Sequence, residues 1–167
     1  INLLRCQMLN YRIKTVLLPS LTRLAFGGLL IILCGCKAGP EPINYGQDEC
    51  EFCRMQITDN RYGSEILTDK GKVFKFDEVG CMIEYAMVKN FIGDANQKFL
   101  VTDFATPETF IDATKAFFVQ NDNFRSPMGS NVMAFDSEIS RQKFAAESGG
   151  SLLNWVDVIE LVKRNSM

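Results

Sequence analysis

The chain has 167 residues, of which 47% are hydrophobic, so it can bury one core but is too short for several large domains. It contains no histidine, which excludes imidazole both as a metal ligand and as a general base. Its formal net charge of −2 gives no electrostatic reason to bind nucleic acid.

The first 35 residues have the order of a secretion signal. Arg12, Lys14 and Arg23 precede an apolar stretch over residues 24 to 33. That stretch is too short for a membrane-spanning helix, which needs roughly 20 residues. We therefore predict a signal peptide over 1–35. The alternative, a short uncleaved anchor, would leave the domain on the same face of the membrane.

The segment Leu33-Cys34-Gly35-Cys36 resembles the bacterial lipobox, in which a leucine and two small residues precede an acylated cysteine. Cys36 is the predicted lipidation site, because acylation of Cys34 would put Leu33 where a small residue is expected. Residues 36–49 are then the lipidated cysteine and a polar, proline-containing tether. Removal of the signal takes away four of the 18 basic residues and no acidic residue, which leaves 14 against 20, a net charge of −6.

A sulfur-rich motif follows the tether. Cys50-Glu51-Phe52-Cys53-Arg54-Met55 places two thiols and a thioether within six residues. Soft ligands of this kind select Cu(I), zinc or iron–sulfur clusters, and a thioether beside thiols favours Cu(I). A zinc ribbon is disfavoured because it needs four ligands, whereas only Cys50, Cys53 and Cys81 keep free thiols. Three thiols also make a poor disulfide framework.

The next residues predict a strand, a strand, a helix and a strand. Residues 61–68 and 73–77 flank the turn Asp69-Lys70-Gly71-Lys72 as a hairpin. Residues 78–90 predict a helix, with Asp77 as its cap. A strand over 98–104 completes the unit. Cys81, Met82, Met87 and Met133 are interpreted as core side chains.

A second round of the same elements follows Pro107. We predict one strand over 110–120, a partner over 131–135, and a helix over 138–147 that is capped by Asp136 and Ser137, with Ile139, Phe144 and Ala145 inward. A strand over 152–155 and a helix over 156–164 end the chain. The segments 73–77 and 132–136 lie 59 residues apart and each leads into a helix. The predicted fold class is α+β, with two tandem ββαβ-like repeats packed as one small globular unit.

These features together resemble the NosL family, the lipoprotein accessory factors of nitrous oxide reductase. The resemblance is carried by the lipobox, the tether, Cys50-x-x-Cys53-x-Met55, the two repeats and Ser126-Pro127-Met128-Gly129-Ser130. It covers essentially the whole mature chain. It implies a copper-binding domain over 50–167, with halves of 50–105 and 106–167. By position, it implies that Cys50, Cys53, Met55 and Met128 are metal ligands. A histidine found in some members has no counterpart here.

The resemblance also implies a function and a location. A protein of this kind is not an enzyme; it binds Cu(I) and delivers it to the copper centres of the reductase. Its partners would be apo nitrous oxide reductase with the membrane-bound maturation machinery, and the lipid membrane through acylated Cys36. Its location would be the bacterial cell envelope, facing the periplasm.

Two other classes of protein remain open. An envelope thiol–disulfide oxidoreductase would use Cys50 and Cys53, with the first thiol at a helix amino terminus, where the dipole lowers its pKa. The residues after Cys53 have only weak helical periodicity. A structural lipoprotein would instead join these two cysteines in one disulfide.

Overall fold

The computed structural model describes residues 39 to 166, so the predicted signal peptide and Cys36 lie outside the described residues. Seven strands and three helices follow one another within that range. In chain order they are β1 (Ser64–Thr68), β2 (Val73–Phe76), α1 (Val79–Val88), β3 (Gln97–Thr102), β4 (Phe110–Asp112), β5 (Phe117–Gln120), β6 (Val132–Phe135), α2 (Glu138–Ser148), β7 (Ser151–Leu153) and α3 (Trp155–Asn165).

The strands form two antiparallel sheets, ordered β2-β1-β3-β4 and β6-β5-β7. In each sheet a hairpin is followed by a helix, and the next strand returns to the free side of the first strand of that hairpin. The two halves therefore repeat one ββαβ topology, to which the first adds β4. This confirms the predicted α+β fold and its internal duplication.

One main core joins the two halves. It contains Ile66, Phe76 and Met82 from the first half and Phe118 and Val158 from the second. Burial of such side chains provides the main driving force for packing the sheets and helices together. The core assignment of the methionines is confirmed for Met82 and Met133, which are both 0% exposed. Met87 is partly buried and packs against the same core.

The prediction of one strand over 110–120 is wrong, because a turn divides it. The carboxylate of Asp112 accepts hydrogen bonds from the backbone N–H of Thr114 at 3.0 Å and from its hydroxyl at 2.7 Å. The chain bends there, so that β4 pairs with β3 in the first sheet while β5 becomes the central strand of the second. Aspartate is a common residue at such turns because its side chain bonds to the backbone two residues further on.

Two smaller predictions at helix starts are also wrong. The residue that caps α1 is Glu78 rather than Asp77, and its side chain makes no capping hydrogen bond. Ile139 is 80% exposed rather than inward. The reason is that α2 packs through Phe144 and Ala145, one turn further along the helix. The predicted cap of α2 is confirmed for Ser137, whose side chain accepts the N–H of Ser140.

Residues 41 to 49, within the predicted tether, pack along the first sheet. Ile43 is buried in the main core. The ammonium group of Lys75 on β2 donates hydrogen bonds to the carbonyl of Pro42 and to the carboxylate of Asp48, each at 2.8 Å. The chain is thus already fixed where the sulfur motif begins. No helix between residues 39 and 166 is long and apolar enough to cross a bilayer.

Candidate metal centre

Residues 50 to 55 form a tight loop, called here the sulfur loop. An isolated bridge between Glu49 and Gln56 closes its base. Inside it, the N–H of Cys50 donates to the carbonyl of Met55 at 2.8 Å, and the N–H of Arg54 donates to the carbonyl of Cys50 at 3.0 Å. Arg54 has a φ of 64°, in the left-handed region, which turns the chain back after Cys53.

The sulfur loop lies against the junction of β2 and α1. The N–H of Glu51 donates to the carbonyl of Lys75 on β2 at 2.8 Å. The same strand leads into Asp77, and the first turn of α1 carries Cys81. One ligand atom from each of Cys50, Cys53, Asp77 and Cys81 lies within 4.8 Å of the others. We call these four residues the thiol cluster.

The thiol cluster is closed on most sides. Cys50 is 0% exposed, while Asp77 and Cys81 are each 1% exposed. Cys53 is half-buried, so it forms the edge of the cluster that faces solvent. Its thiol donates a hydrogen bond to the carboxylate of Asp77 at 3.4 Å. The other oxygen of Asp77 is buried and has no hydrogen-bond partner within the described part of the chain.

Four hydrogen-bond donors near the sulfur of Cys50 lower its pKa. The thiol of Cys81 is the most effective donor, and the backbone N–H groups of Phe52, Cys53 and Asp77 contribute as well. Hydrogen bonds to the charged form stabilise it, whereas burial opposes it. The donors win, and they lower the pKa of Cys50 to about 6. The lowered pKa favours the thiolate form of Cys50, although the chain has no histidine to deprotonate it.

The other two thiols of the cluster keep their protons. Burial raises the pKa of Cys53 to about 11, although the N–H of Met55 partly opposes this shift. The hydrogen bond that Cys81 donates to Cys50, followed by burial, raises the pKa of Cys81 well above its usual value. The shifts thus favour the thiolate at Cys50 and the protonated thiol at Cys53 and Cys81. The hydrogen bonds among them match this distribution of protons.

The four residues predicted as metal ligands lie in two different environments, two in the thiol cluster and two at the surface. Cys50 and Cys53 are brought together in the thiol cluster. Met55 and Met128 are 54% and 47% exposed, so their thioethers lie at the surface. Phe52, which is 39% exposed, adds an aromatic ring from the sulfur loop.

Two members of the thiol cluster were missed by the sequence analysis. Cys81 is buried as predicted, but its sulfur joins the cluster instead of packing only as a small hydrophobe. Asp77 was interpreted as a helix cap, whereas its carboxylate lies among the sulfurs. The available signal was their position at the start of the predicted helix, where Asp77 and Cys81 are only four residues apart.

The geometry sets what the cluster can do. Three sulfur donors with one preformed thiolate suit a soft, monovalent ion, and two of them are enough to bind Cu(I). The carboxylate of Asp77 would complete a four-ligand set for a tetrahedral divalent ion. The three thiols also lie close to one another, so thiol–disulfide exchange is a second candidate function.

Comparison with known proteins shows which proteins this chain is similar to. The copper-binding lipoprotein NosL of Stutzerimonas stutzeri is 28% identical over 159 residues, which cover 83% of this chain and 83% of that protein. The crystal structure of the copper chaperone NosL from Shewanella denitrificans has the same fold, with a TM-score of 0.59 at 21% identity, over 70% of this chain and 92% of that one. The model of the NosL family matches residues 43 to 162, most of the chain, and the chain belongs to that family.

Proposed function

We propose that this chain is a Cu(I) chaperone of the bacterial cell envelope and not an enzyme. The observation that carries the proposal is the thiol cluster, in which three sulfurs converge beside a buried carboxylate and the pKa of Cys50 is lowered. A metal ligand must be deprotonated, so a preformed thiolate lowers the cost of binding. The relatives that are named as copper-binding or as copper chaperones support the same choice of metal.

The donor set favours Cu(I) over a divalent ion for a physical reason. Cu(I) accepts two or three soft ligands, which Cys50, Cys53 and Cys81 supply. Zinc prefers four ligands and would have to recruit the carboxylate of Asp77. That carboxylate already accepts a hydrogen bond from Cys53. Cu(I) can therefore bind to sulfur alone, without competing for Asp77.

Release of the metal requires an opening, and the half-buried Cys53 provides it. Met55 and Met128 expose thioethers at the surface, where they can add to or leave a two-coordinate Cu(I). In our proposal the buried Cys50 and Cys81 retain the ion, and a ligand from a partner approaches at the Cys53 edge. A site of this kind holds the ion away from solution but still allows exchange.

The destination that we propose is apo nitrous oxide reductase, together with its membrane-bound maturation machinery. The support is membership of the NosL family, whose model matches a range of this chain that includes the sulfur loop. Acylated Cys36 would attach the protein to the membrane on the periplasmic side. Attachment would keep the thiol cluster near a membrane-bound partner and raise the effective concentration of each for the other.

The geometry disfavours the alternative of a thiol–disulfide oxidoreductase. Such an enzyme needs an attacking thiolate that is accessible to its substrate. Here the thiolate is Cys50, which is fully buried, while the more accessible Cys53 has a raised pKa. The sulfur loop also does not begin a helix. The two properties that the reaction needs are thus on different residues.

An anaerobic titration of the reduced full chain in detergent tests the proposal. Cu(I) is added in the presence of a chromogenic chelator, and we expect one ion per chain to be withheld from the chelator. Protein with its thiols blocked by iodoacetamide is the control and should withhold none. Failure of the reduced protein to compete, combined with rapid reduction of insulin disulfides, would favour the oxidoreductase instead.

A further inference from the structure

Glu78 has a buried carboxylate that neither its helix nor the thiol cluster uses. It follows Asp77 directly, is 1% exposed, and makes no capping hydrogen bond to α1. No lysine or arginine within residues 39 to 166 forms an ion pair with it. Burial raises the pKa of its carboxyl group. A buried acidic group is costly unless it is hydrogen-bonded, so its partners indicate its role.

All of these partners belong to one loop of the second half. Residues 126 to 131, called here the methionine loop, approach Glu78 from fifty residues further along the chain. The carboxylate accepts the backbone N–H of Met128 at 3.2 Å and that of Ser130 at 3.3 Å. The hydroxyl groups of Ser126 and Ser130 also hydrogen-bond to it. Charge-assisted bonds of this kind are stronger than those between neutral groups.

The methionine loop is shaped to present its backbone to Glu78 and its methionine to solvent. The N–H of Gly129 donates to the carbonyl of Ser126 at 3.2 Å, and Gly129 has a φ of 84°. The hydroxyl of Ser126 accepts the N–H of Asn131 at 2.8 Å. With its N–H groups turned toward the carboxylate, the loop leaves the thioether of Met128 about half exposed.

The first half leaves room for this contact. A Cβ at Gly80 would come within 2.7 Å of a carboxylate oxygen of Glu78. Glycine therefore allows the carboxylate to lie between α1 and the methionine loop. Along the chain, Glu78 lies between Asp77 and Cys81, which are both members of the thiol cluster.

We propose that Glu78 is a positioning residue, which holds the methionine loop so that Met128 serves as an additional donor to Cu(I) bound at the thiol cluster. The proposal rests on the proposed function and deepens it. It makes the ligand set a joint property of the two repeats. Glu78 itself does not contact the metal; it acts through the backbone of Met128.

The test replaces the carboxylate by its neutral isostere and follows individual methionines. Full-length protein with ¹³C-labelled methionine methyl groups is loaded with Cu(I) under anaerobic conditions, and the resonance of Met128 is assigned with the M128L variant. In the parent protein the methyl signal of Met128 should shift on loading. In Glu78→Gln that shift should be lost, while the signal of Met55 responds as before.

Affinity provides a second readout that a purely structural role would not reproduce. Competition with a Cu(I) chelator should show that Glu78→Gln weakens binding by about tenfold, the low end for loss of a group that orients a metal ligand. Met128→Leu should weaken it equally, and the double variant should be no weaker than either single one. Additive losses, or a Met128 signal that still shifts in Glu78→Gln, would overturn the proposal.

Two further outcomes separate this proposal from the proposed function. If the parent protein binds Cu(I) but its Met128 signal does not move, the role of Glu78 is refuted while the chaperone function survives. If the parent protein binds no Cu(I), both fail. Should Glu78→Gln not fold, Gly80→Ala places a Cβ within 2.7 Å of a carboxylate oxygen of Glu78 and so displaces the carboxylate from the methionine loop. An unchanged response of Met128 in that variant refutes the proposal.

Discussion

The sulfur of Cys81 lies within 4.8 Å of the sulfur of Cys50, and this contact joins the first turn of α1 to the sulfur loop. It is also the largest influence that lowers the pKa of Cys50. One buried cysteine therefore sets the protonation state of another. The acidity of the thiol cluster depends on this packing as well as on the Cys-x-x-Cys motif.

We therefore expect Cys81→Ala to raise the pKa of Cys50 from about 6 toward the ordinary value of 9.0. Cu(I) binding should weaken for two reasons. The metal must displace a proton from Cys50, which costs about tenfold in affinity for each unit by which that pKa exceeds the working pH. The variant also removes the sulfur of Cys81 from the ligand set. The ultraviolet absorbance of the thiolate as a function of pH measures the first effect, and competition with a chelator measures the second.

Ser140 provides the matched control. It is the third residue of α2, just as Cys81 is the third residue of α1. Ser140→Ala should leave both quantities unchanged. A Cys50 that still titrates near pH 6 in Cys81→Ala would show that the backbone N–H groups suffice without Cys81.

The sequence predicted those parts of the site that are local. Cys50, Cys53 and Met55 lie within one loop, so their spacing alone indicates a sulfur site. The contributions of Asp77 and Cys81 depend on a hydrogen bond between the sulfur loop and β2, from Glu51 to Lys75. No pattern in the sequence specifies that pairing, because it joins segments that are separated by a hairpin strand.

For the fold, too, the sequence pattern predicted some features correctly and missed others. Periodicity and the repeated segments at 73–77 and 132–136 indicated the duplicated topology. The break at Asp112 was missed because β-branched and aromatic residues on both sides of it continue a strand-like pattern. The turn depends on a single carboxylate that bonds to Thr114, and this local signal was outweighed by the propensity of its neighbours.

Because the carboxyl group of Glu65 is buried, we expect the stability of the fold to depend on pH in an unusual way. Glu65 lies on β1 opposite Lys75, is 0% exposed, and neither carboxylate oxygen has a hydrogen-bond partner within residues 39 to 166. Burial raises its pKa from 4.5 to about 7, while Lys75 opposes the shift and the charges of Glu41 and Asp48 add to it. The protonated form therefore stabilises the fold below pH 4.5, and this contribution, at most about 3 kcal/mol, is lost as the pH rises through 7.

We expect Glu65→Gln to remove that dependence. Urea unfolding at pH 8 should show the variant to be more stable than the parent by about 2 kcal/mol, whereas at pH 5 the difference should shrink, because the parent is then largely protonated. Glu147→Gln, at an exposed position on α2, should have no comparable effect. Equal destabilisation by Glu65→Gln at both pH values would mean that the ionised carboxylate is tolerated.

The membrane anchor is tested by Cys36→Ala. This change removes the predicted acylation site and leaves the described domain intact, so the protein should fold but lose its firm attachment to membranes. A single acyl chain binds only reversibly, whereas lipoproteins that carry several chains remain bound. Fractionation of cells measures the difference. Equal recovery of variant and parent in the washed membrane pellet would refute lipidation at Cys36.

Delivery of copper is the last prediction, and it follows from the arrangement of buried thiols and exposed thioethers. Cys50→Ser with Cys53→Ser should abolish Cu(I) binding, because it removes the thiolate and the thiol at the edge of the cluster. Met55→Leu keeps the apolar volume but removes one exposed thioether, so it should weaken binding only modestly and leave folding unchanged.

The copper content and activity of nitrous oxide reductase in cells that carry each variant provide the measurement. We expect a copper-deficient reductase in the double serine strain and a nearly normal one with Met55→Leu. Full copper loading in the double serine strain, with no other chaperone supplied, would contradict delivery through the thiol cluster even if the purified protein binds Cu(I).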